Sequence, residues 1–80
     1  SNMQIFLIFH AKQRMEVYGI TVQQITDALE KPDSIVKGNF GRLIAQKRIN
    51  GNILRIVFEK KGEEIVVVTV YKARAKRYEI

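Results

Sequence analysis

The stretch RLIAQKRINGNILRIVFEK, residues 42–60, decides the fold that we predict for this chain. It holds two β-rich segments on either side of Asn50-Gly51, and both residues of that pair tolerate the positive φ angles of a two-residue type I′ turn. Such a turn fixes the register of the two strands, so that Gln46 faces Arg55. The stretch therefore predicts an antiparallel β-hairpin.

A third β-rich segment, residues 64–71, extends the hairpin into a meander, and a short strand around Ser34–Lys37 adds a fourth strand. One face of this sheet collects apolar side chains and predicts a core against helices. These residues are Leu43, Ala45, Leu54, Ile56, Phe58, Ile65 and Val67. Segment 65–70 is apolar on both faces, so we expect it to be central or covered on both sides.

The first half of the chain has helical signals instead. The apolar run Met3–Phe9 predicts a buried strand, and His10–Tyr18 predicts a short helix that ends at Gly19. The sequence TVQQ at 21–24 has the pattern of a capping box, and Pro32 limits the second helix that it begins. The predicted fold class is α+β: an N-terminal strand and two helices, followed by a three- to four-stranded antiparallel meander.

Length and composition limit the function classes. Eighty residues make one small domain, which we place at 3–80, because Ser1-Asn2 resembles the scar of a removed tag. The chain has no cysteine and a single histidine, which excludes disulfides and argues against structural zinc. We expect no metal and no cofactor. The apolar run near the start is too short to span a membrane, so we expect a cytoplasmic protein.

The net charge of +6 is unevenly distributed. Residues 1–40 carry four basic and four acidic side chains, whereas residues 41–80 carry ten basic and four acidic ones. Such asymmetry indicates a polyanionic partner, which is a nucleic acid, an acidic protein or, as the weakest of the three alternatives, a membrane surface. The alternative is a basic surface without a specific partner, which is common in small proteins.

His10 and Arg14 form the first candidate site. On a helix, side chains four residues apart lie about 6 Å apart on one face. Histidine transfers protons near neutral pH, and the planar arginine fork binds phosphate, so the pair suits phosphodiester cleavage. The alternative is a histidine that simply begins a helix beside a solvated arginine, and the spacing alone favours this alternative.

Two further clusters are basic. The face of the sheet opposite the predicted core shows Arg42, Gln46, Arg48 and Arg55, where either Glu59 or phosphate could compensate the charge. In the tail YKARAKRY, two tyrosines bracket four cations, a composition that suits single-stranded nucleic acid. Its members are Tyr71, Lys72, Arg74, Lys76, Arg77 and Tyr78. The alternative for the tail is a charged terminal segment that frays.

Three stretches together carry a resemblance. FHAKQRMEVYGITVQQITDALEKPD (9–33), a GRL strand and a VVVTVY strand with a basic tail resemble the bacterial family called domain of unknown function 4258. That family is similar to the barnase–EndoU–colicin–RelE ribonuclease fold and to BrnT-type toxins, so the resemblance implies a RelE/BrnT-like architecture. His10 and Arg14 match the helix motif of the family. Tyr18 departs from it, because an arginine often occupies that position.

The resemblance also implies strand positions at Arg42, Thr69 and Tyr71. Our leading hypothesis is a small, metal-independent endoribonuclease of the toxin type, with His10 as general base or acid. Arg14 and either Arg55 or Arg42 would stabilise the phosphorane. Either Tyr71 or Tyr78 would stack on a base or transfer the second proton.

The remaining basic residues would bind RNA: Arg42, Arg48, Lys72, Arg74, Lys76 and Arg77, together with Tyr78. The expected partners are RNA and an acidic antitoxin or immunity protein. The alternative function is a basic module that binds RNA or an acidic protein without catalysis, and a third possibility is a purely structural domain. The oligomeric state has no signal in the sequence.

Overall fold

The computed structural model describes residues 3–77 of the chain. One strand is followed by two helices and then by four strands. The elements are β1 (Gln4–Leu7), α1 (Phe9–Tyr18), α2 (Val22–Glu30), β2 (Ser34–Lys37), β3 (Leu43–Ile49), β4 (Asn52–Lys61) and β5 (Glu64–Arg74), with 3₁₀ turns at Asn39–Gly41 and Ala75–Arg77. This arrangement has the α+β class that the sequence predicts.

The hairpin of β3 and β4 has the predicted register. Gln46 faces Arg55, and the turn residues Asn50 and Gly51 have φ angles of 46° and 83°. Both residues therefore occupy the left-handed region that a type I′ turn requires. The predicted hairpin is confirmed, and it fixes which side chains of β3 and β4 share a face.

The sheet has the strand order β1-β5-β4-β3-β2 and is mixed. Strands β2 to β5 form the predicted antiparallel meander, but β1 pairs with β5 in parallel, which the sequence analysis did not predict. The pairing has a physical reason, because β1 gives hydrogen-bond partners to the backbone groups on the edge of β5 that β4 leaves unpaired. β1 is also shorter than the predicted run 3–9, since Phe9 already begins α1.

Both helices begin and end as the sequence predicts, within one residue. α1 ends at Gly19, whose φ of 65° is left-handed. Thr21 caps α2: its hydroxyl accepts the backbone N–H of Gln24 at 3.1 Å, and the Gln24 side chain accepts the backbone N–H of Thr21 at 3.0 Å. Neither helix of the described residues combines the length and the apolar character that crossing a membrane requires.

The helices cover one face of the sheet, which we call the helix side, and we call the other face the open side. The core lies on the helix side and joins residues of both helices to those of the central strands. It consists of Ala11, Ile20, Ile25, Ala28, Leu29, Ala45, Leu54, Ile56, Phe58, Ile65, Val67 and Val70. Because side chains alternate along a strand, Arg55, between Leu54 and Ile56, points to the open side.

One irregularity interrupts the pairing of β4 and β5. Phe58 faces Val67 and Val57 faces Thr69, so Val68 is an extra residue in β5. Such a bulge reverses the alternation of all later side chains in its strand. As a result Val70, Lys72 and Arg74 belong to the helix side, and Tyr71 belongs to the open side.

Candidate functional site

His10 and Arg14 lie one turn apart on α1, on the helix side of the sheet. His10 is exposed, and Arg14 is half-buried with its Nε shielded from solvent. Within residues 3–77, no hydrogen bond or ion pair engages either side chain. The imidazole of His10 is thus a potential base, and the guanidinium of Arg14 is a cation, and neither is engaged by another described residue.

A capping role for His10 would be the simplest structural explanation, and the geometry does not support it. The N-cap of α1 is Ile8, and no side chain caps this helix end. Two neighbouring residues of the same motif do have structural roles: Ala11 is fully buried and Met15 packs against the core. In the motif HAKQRM, packing thus accounts for Ala11 and Met15 but not for His10 and Arg14.

Arg55 and Tyr71 form a second pair, on the open side of the sheet. The Arg55 Nη1 donates to the Tyr71 Oη at 2.7 Å, and the guanidinium carbon lies 5.6 Å from the centre of the tyrosine ring. Arg55 is 8 % exposed although it points away from the helices. The hydrogen bond to Tyr71 and the ring face compensate part of the cost of burying this charge.

The row of polar residues continues across the sheet from this pair. Gln46, next to Arg55 on β3, is 1 % exposed, and its Nε2 donates to the Ser34 hydroxyl at 2.9 Å. The row runs in register from Ser34 through Gln46 and Arg55 to Tyr71. The row thus crosses four strands, and the sequence analysis placed two of its members, Gln46 and Arg55, on an accessible basic face. The structure places both of these side chains in buried positions instead.

The structure separates the four residues that the sequence analysis grouped as one catalytic set. His10 and Arg14 stand on the helix side, whereas Arg55 and Tyr71 stand on the open side. The sheet lies between the two pairs. The structure therefore does not bring the four residues together, and they form two separate clusters.

Comparison with known proteins places the chain in a family. The sequence model described as a domain of unknown function, DUF4258, matches residues 8–72. The chain belongs to this family. Comparisons with curated proteins and with solved structures gave no match.

The region that matches DUF4258 includes His10, Arg14, Arg42, Arg55 and Tyr71, and it ends at Lys72. Most of the basic tail therefore lies beyond the family match. The RelE/BrnT-like architecture that the resemblance implies is a finer statement than family membership, and it stays a prediction.

The tail of this DUF4258 chain brings three predicted RNA-binding cations together. Lys72, Arg74 and Lys76 line a shallow groove of about 510 Å³ with Ala73, and none of the described residues that line it is acidic. Lys72 and Arg74 lie on the same side of the sheet as His10 and Arg14. Arg77 is the last residue of the final 3₁₀ turn, and Tyr78 lies outside the described residues.

The two remaining predicted arginines are on β3 or just before it. The Arg42 Nε donates to the Glu59 carboxylate at 3.0 Å, as the register predicts, and Lys61 lies 3.9 Å from the same carboxylate. The side chain of Arg48 is exposed, and its backbone N–H donates to Asp33 at 2.7 Å. Glu59 thus compensates Arg42, while Arg48 stays available to an anion.

Within residues 3–77, no three side chains among His, Asp and Glu lie close enough together to hold a metal ion.

Sequence reasoning missed Phe40, whose ring is 89 % exposed in the turn between β2 and β3. The available signal was the sequence GNFG at 38–41, an aromatic residue in a turn between glycines.

Proposed function

We propose that this DUF4258 chain is a small cytoplasmic endoribonuclease of the toxin type, which cleaves RNA by attack of a 2′-hydroxyl on the adjacent phosphate. The observation that carries the proposal is the availability of His10 and Arg14, one helical turn apart and engaged by no other described residue. A free imidazole can accept a proton, and a neighbouring guanidinium can bind phosphate oxygens.

In the proposed reaction, His10 accepts the proton of the 2′-hydroxyl while its oxygen forms a bond to phosphorus. The bond from phosphorus to the 5′-oxygen breaks, and the leaving oxygen takes a proton from solvent. The products are a 2′,3′-cyclic phosphate and a 5′-hydroxyl. Arg14 binds the non-bridging oxygens and stabilises the negative charge of the transition state.

The other basic residues bind RNA at a distance from the reacting phosphate in this proposal. Lys72, Arg74 and Lys76 share a groove and contact the RNA backbone, which makes binding depend steeply on salt. Arg55 and Tyr71 support the sheet and do not contact the reacting phosphate. An acidic antitoxin or immunity protein would bind the same basic surface and block it.

A non-catalytic module that binds RNA or an acidic protein is the second candidate. The cationic groove favours it, because its three cations bind a polyanion without any help from His10. The two candidates differ in one respect, which is whether a bound RNA is cut.

The test uses a fluorescently labelled single-stranded RNA oligomer and its all-deoxy counterpart. We expect the whole chain to cut the RNA, to leave a 2′,3′-cyclic phosphate, and to bind the DNA without cutting it. His10→Ala should lower the cleavage rate by about 10²–10⁴-fold, the range that a general base contributes. Gln13→Ala is the matched control, since Gln13 is also exposed on α1 and the sequence motif assigns it no role.

Binding of RNA by His10→Ala should equal that of the unaltered chain and weaken with salt. If the unaltered chain binds RNA but leaves it uncut, the binding module is the correct reading. If His10→Ala cuts as fast as Gln13→Ala does, the catalytic role of His10 is wrong. In cells, the matching test is growth arrest on overexpression, which His10→Ala should abolish.

A further inference from the structure

The outer edge of β2 is a second feature that has no partner among the described strands. β2 pairs with β3 from Ser34 to Lys37, and no other described strand pairs with it. Ile35 is 50 % exposed on the helix side of this edge, and Val36 is 36 % exposed on the open side. An additional strand along β2 would therefore bury apolar surface on both faces and satisfy backbone groups.

Phe40 lies in the turn that follows this edge, in an unfavourable conformation. Its φ of 58° and ψ of 35° are left-handed, a region that a bulky residue rarely adopts. The turn is held by backbone hydrogen bonds, from Gly38 to Arg42 at 2.8 Å and from Arg42 to Asn39 at 3.1 Å. The backbone thus presents a phenyl ring to solvent at a conformational cost, an arrangement that recurs at functional sites.

The charges around this edge are mostly basic. Lys31, Lys37, Lys47 and Arg48 lie on β2, on β3 or beside them, and Arg42 is already paired with Glu59. The nearby acidic residues are Glu30, at the end of α2, and Asp33, which accepts the backbone N–H of Arg48. A second copy of this chain would bring the same positive charges to the edge, whereas an acidic partner complements them.

We propose that the outer edge of β2 and Phe40 form a docking surface for an extended, acidic segment of another protein, which adds to the sheet as a further strand. The edge exposes aliphatic side chains on both faces, and these favour a polypeptide as the partner. An RNA would contact only the aromatic ring and the cations. Phe40 would be the aromatic anchor of the interface. This proposal does not depend on ribonuclease activity.

The experiment selects a displayed library of random twelve-residue peptides on the whole chain. We expect the enriched peptides to be acidic with alternating apolar residues, to shift the amide resonances of residues 34–37 and 40, and to bind more weakly at high salt. Failure to enrich such peptides, or shifts confined to β1, would overturn the proposal. If single-stranded RNA shifts these amides and the peptides do not, the surface binds RNA instead.

Phe40→Gly is the decisive variant, because its predicted effects on stability and on binding have opposite signs. Glycine adopts the left-handed conformation without strain, so the melting temperature should stay the same or rise. Binding of the selected peptide should fall by more than about tenfold, because an anchor ring is lost. Phe6→Ala on β1, where Phe6 is 49 % exposed, is the matched control and should bind as the unaltered chain does. Peptide affinity within twofold of the control would refute the role of Phe40.

Discussion

His10 with Arg14 and Arg55 with Tyr71 differ in how the protein uses them, although both pairs have the residue types of a phosphate site. Arg55 is almost fully buried, bonded to Tyr71 and in register with a buried glutamine. His10 is exposed, and no described residue engages it or Arg14. The difference shows that residue type alone does not tell whether the fold holds an arginine in place, whereas burial and hydrogen-bond partners do.

The largest effect on stability should come from Arg55→Ala. This change removes a hydrogen bond from a buried charged donor and leaves the tyrosine hydroxyl without it, so we expect the free energy of unfolding to fall by about 2–3 kcal/mol. Denaturant unfolding of the whole chain measures it. His10→Ala is the control and should stay within about 0.5 kcal/mol of the unaltered chain. Equal free energies of unfolding for the two variants would contradict the difference between the buried pair and the exposed one.

A smaller effect is expected from Tyr71→Phe. The ring stays beside the Arg55 guanidinium, and only the hydroxyl that accepts its hydrogen bond is lost. We expect a loss of about 1–1.5 kcal/mol, measured by thermal and denaturant unfolding. RNA cleavage should be unchanged once the folded fraction is taken into account. A loss of cleavage at full stability would return Tyr71 to the catalytic site.

The smallest effect concerns Arg42 and Glu59, which form an ion pair at the edge of the open side. Both side chains are about one-third exposed, at 35 % and 33 %, so solvent screens their attraction. A double-mutant cycle with Arg42→Gln and Glu59→Gln should give a coupling energy of about 0.5 kcal/mol, which decreases as salt is added. A coupling that salt does not change would place the pair in a far drier environment than its exposure indicates.

The sequence predicted the parts of the fold that depend on local signals. Asn50-Gly51 fixed the β3–β4 register, and Thr21 with Gln24 predicted the start of α2, because a turn type and a cap are properties of a few adjacent residues. The pairing of Gln46 with Arg55 followed from that register. The face of Arg55 was thus predictable, but its burial was not, because burial depends on what covers the sheet.

The parts that were not predictable depend on β5. Residues 65–70 are apolar at every position except Thr69, so the pattern does not show which side chains face the helices. The extra residue Val68 changes the face of Tyr71, and no local signal marks it. The parallel partner β1 is sixty residues away in the sequence, and its pairing depends on the tertiary arrangement. The bulge therefore explains why the side of Tyr71 was not predictable, whereas the predicted register already placed Arg55 on the face opposite the core.

The bulge at Val68 also has a consequence for how this gene can change. Loss of the codon for Val68 would leave Val57 opposite Thr69 and Arg55 opposite Tyr71, so every pair on either side of the bulge survives the deletion. Gain of one codon after Thr69 would instead exchange the faces of Tyr71 and Lys72, because neighbouring residues in a strand point to opposite sides. Deletion of Val68 is therefore compatible with the fold, whereas insertion of one residue after Thr69 changes which cations lie on each face of the sheet.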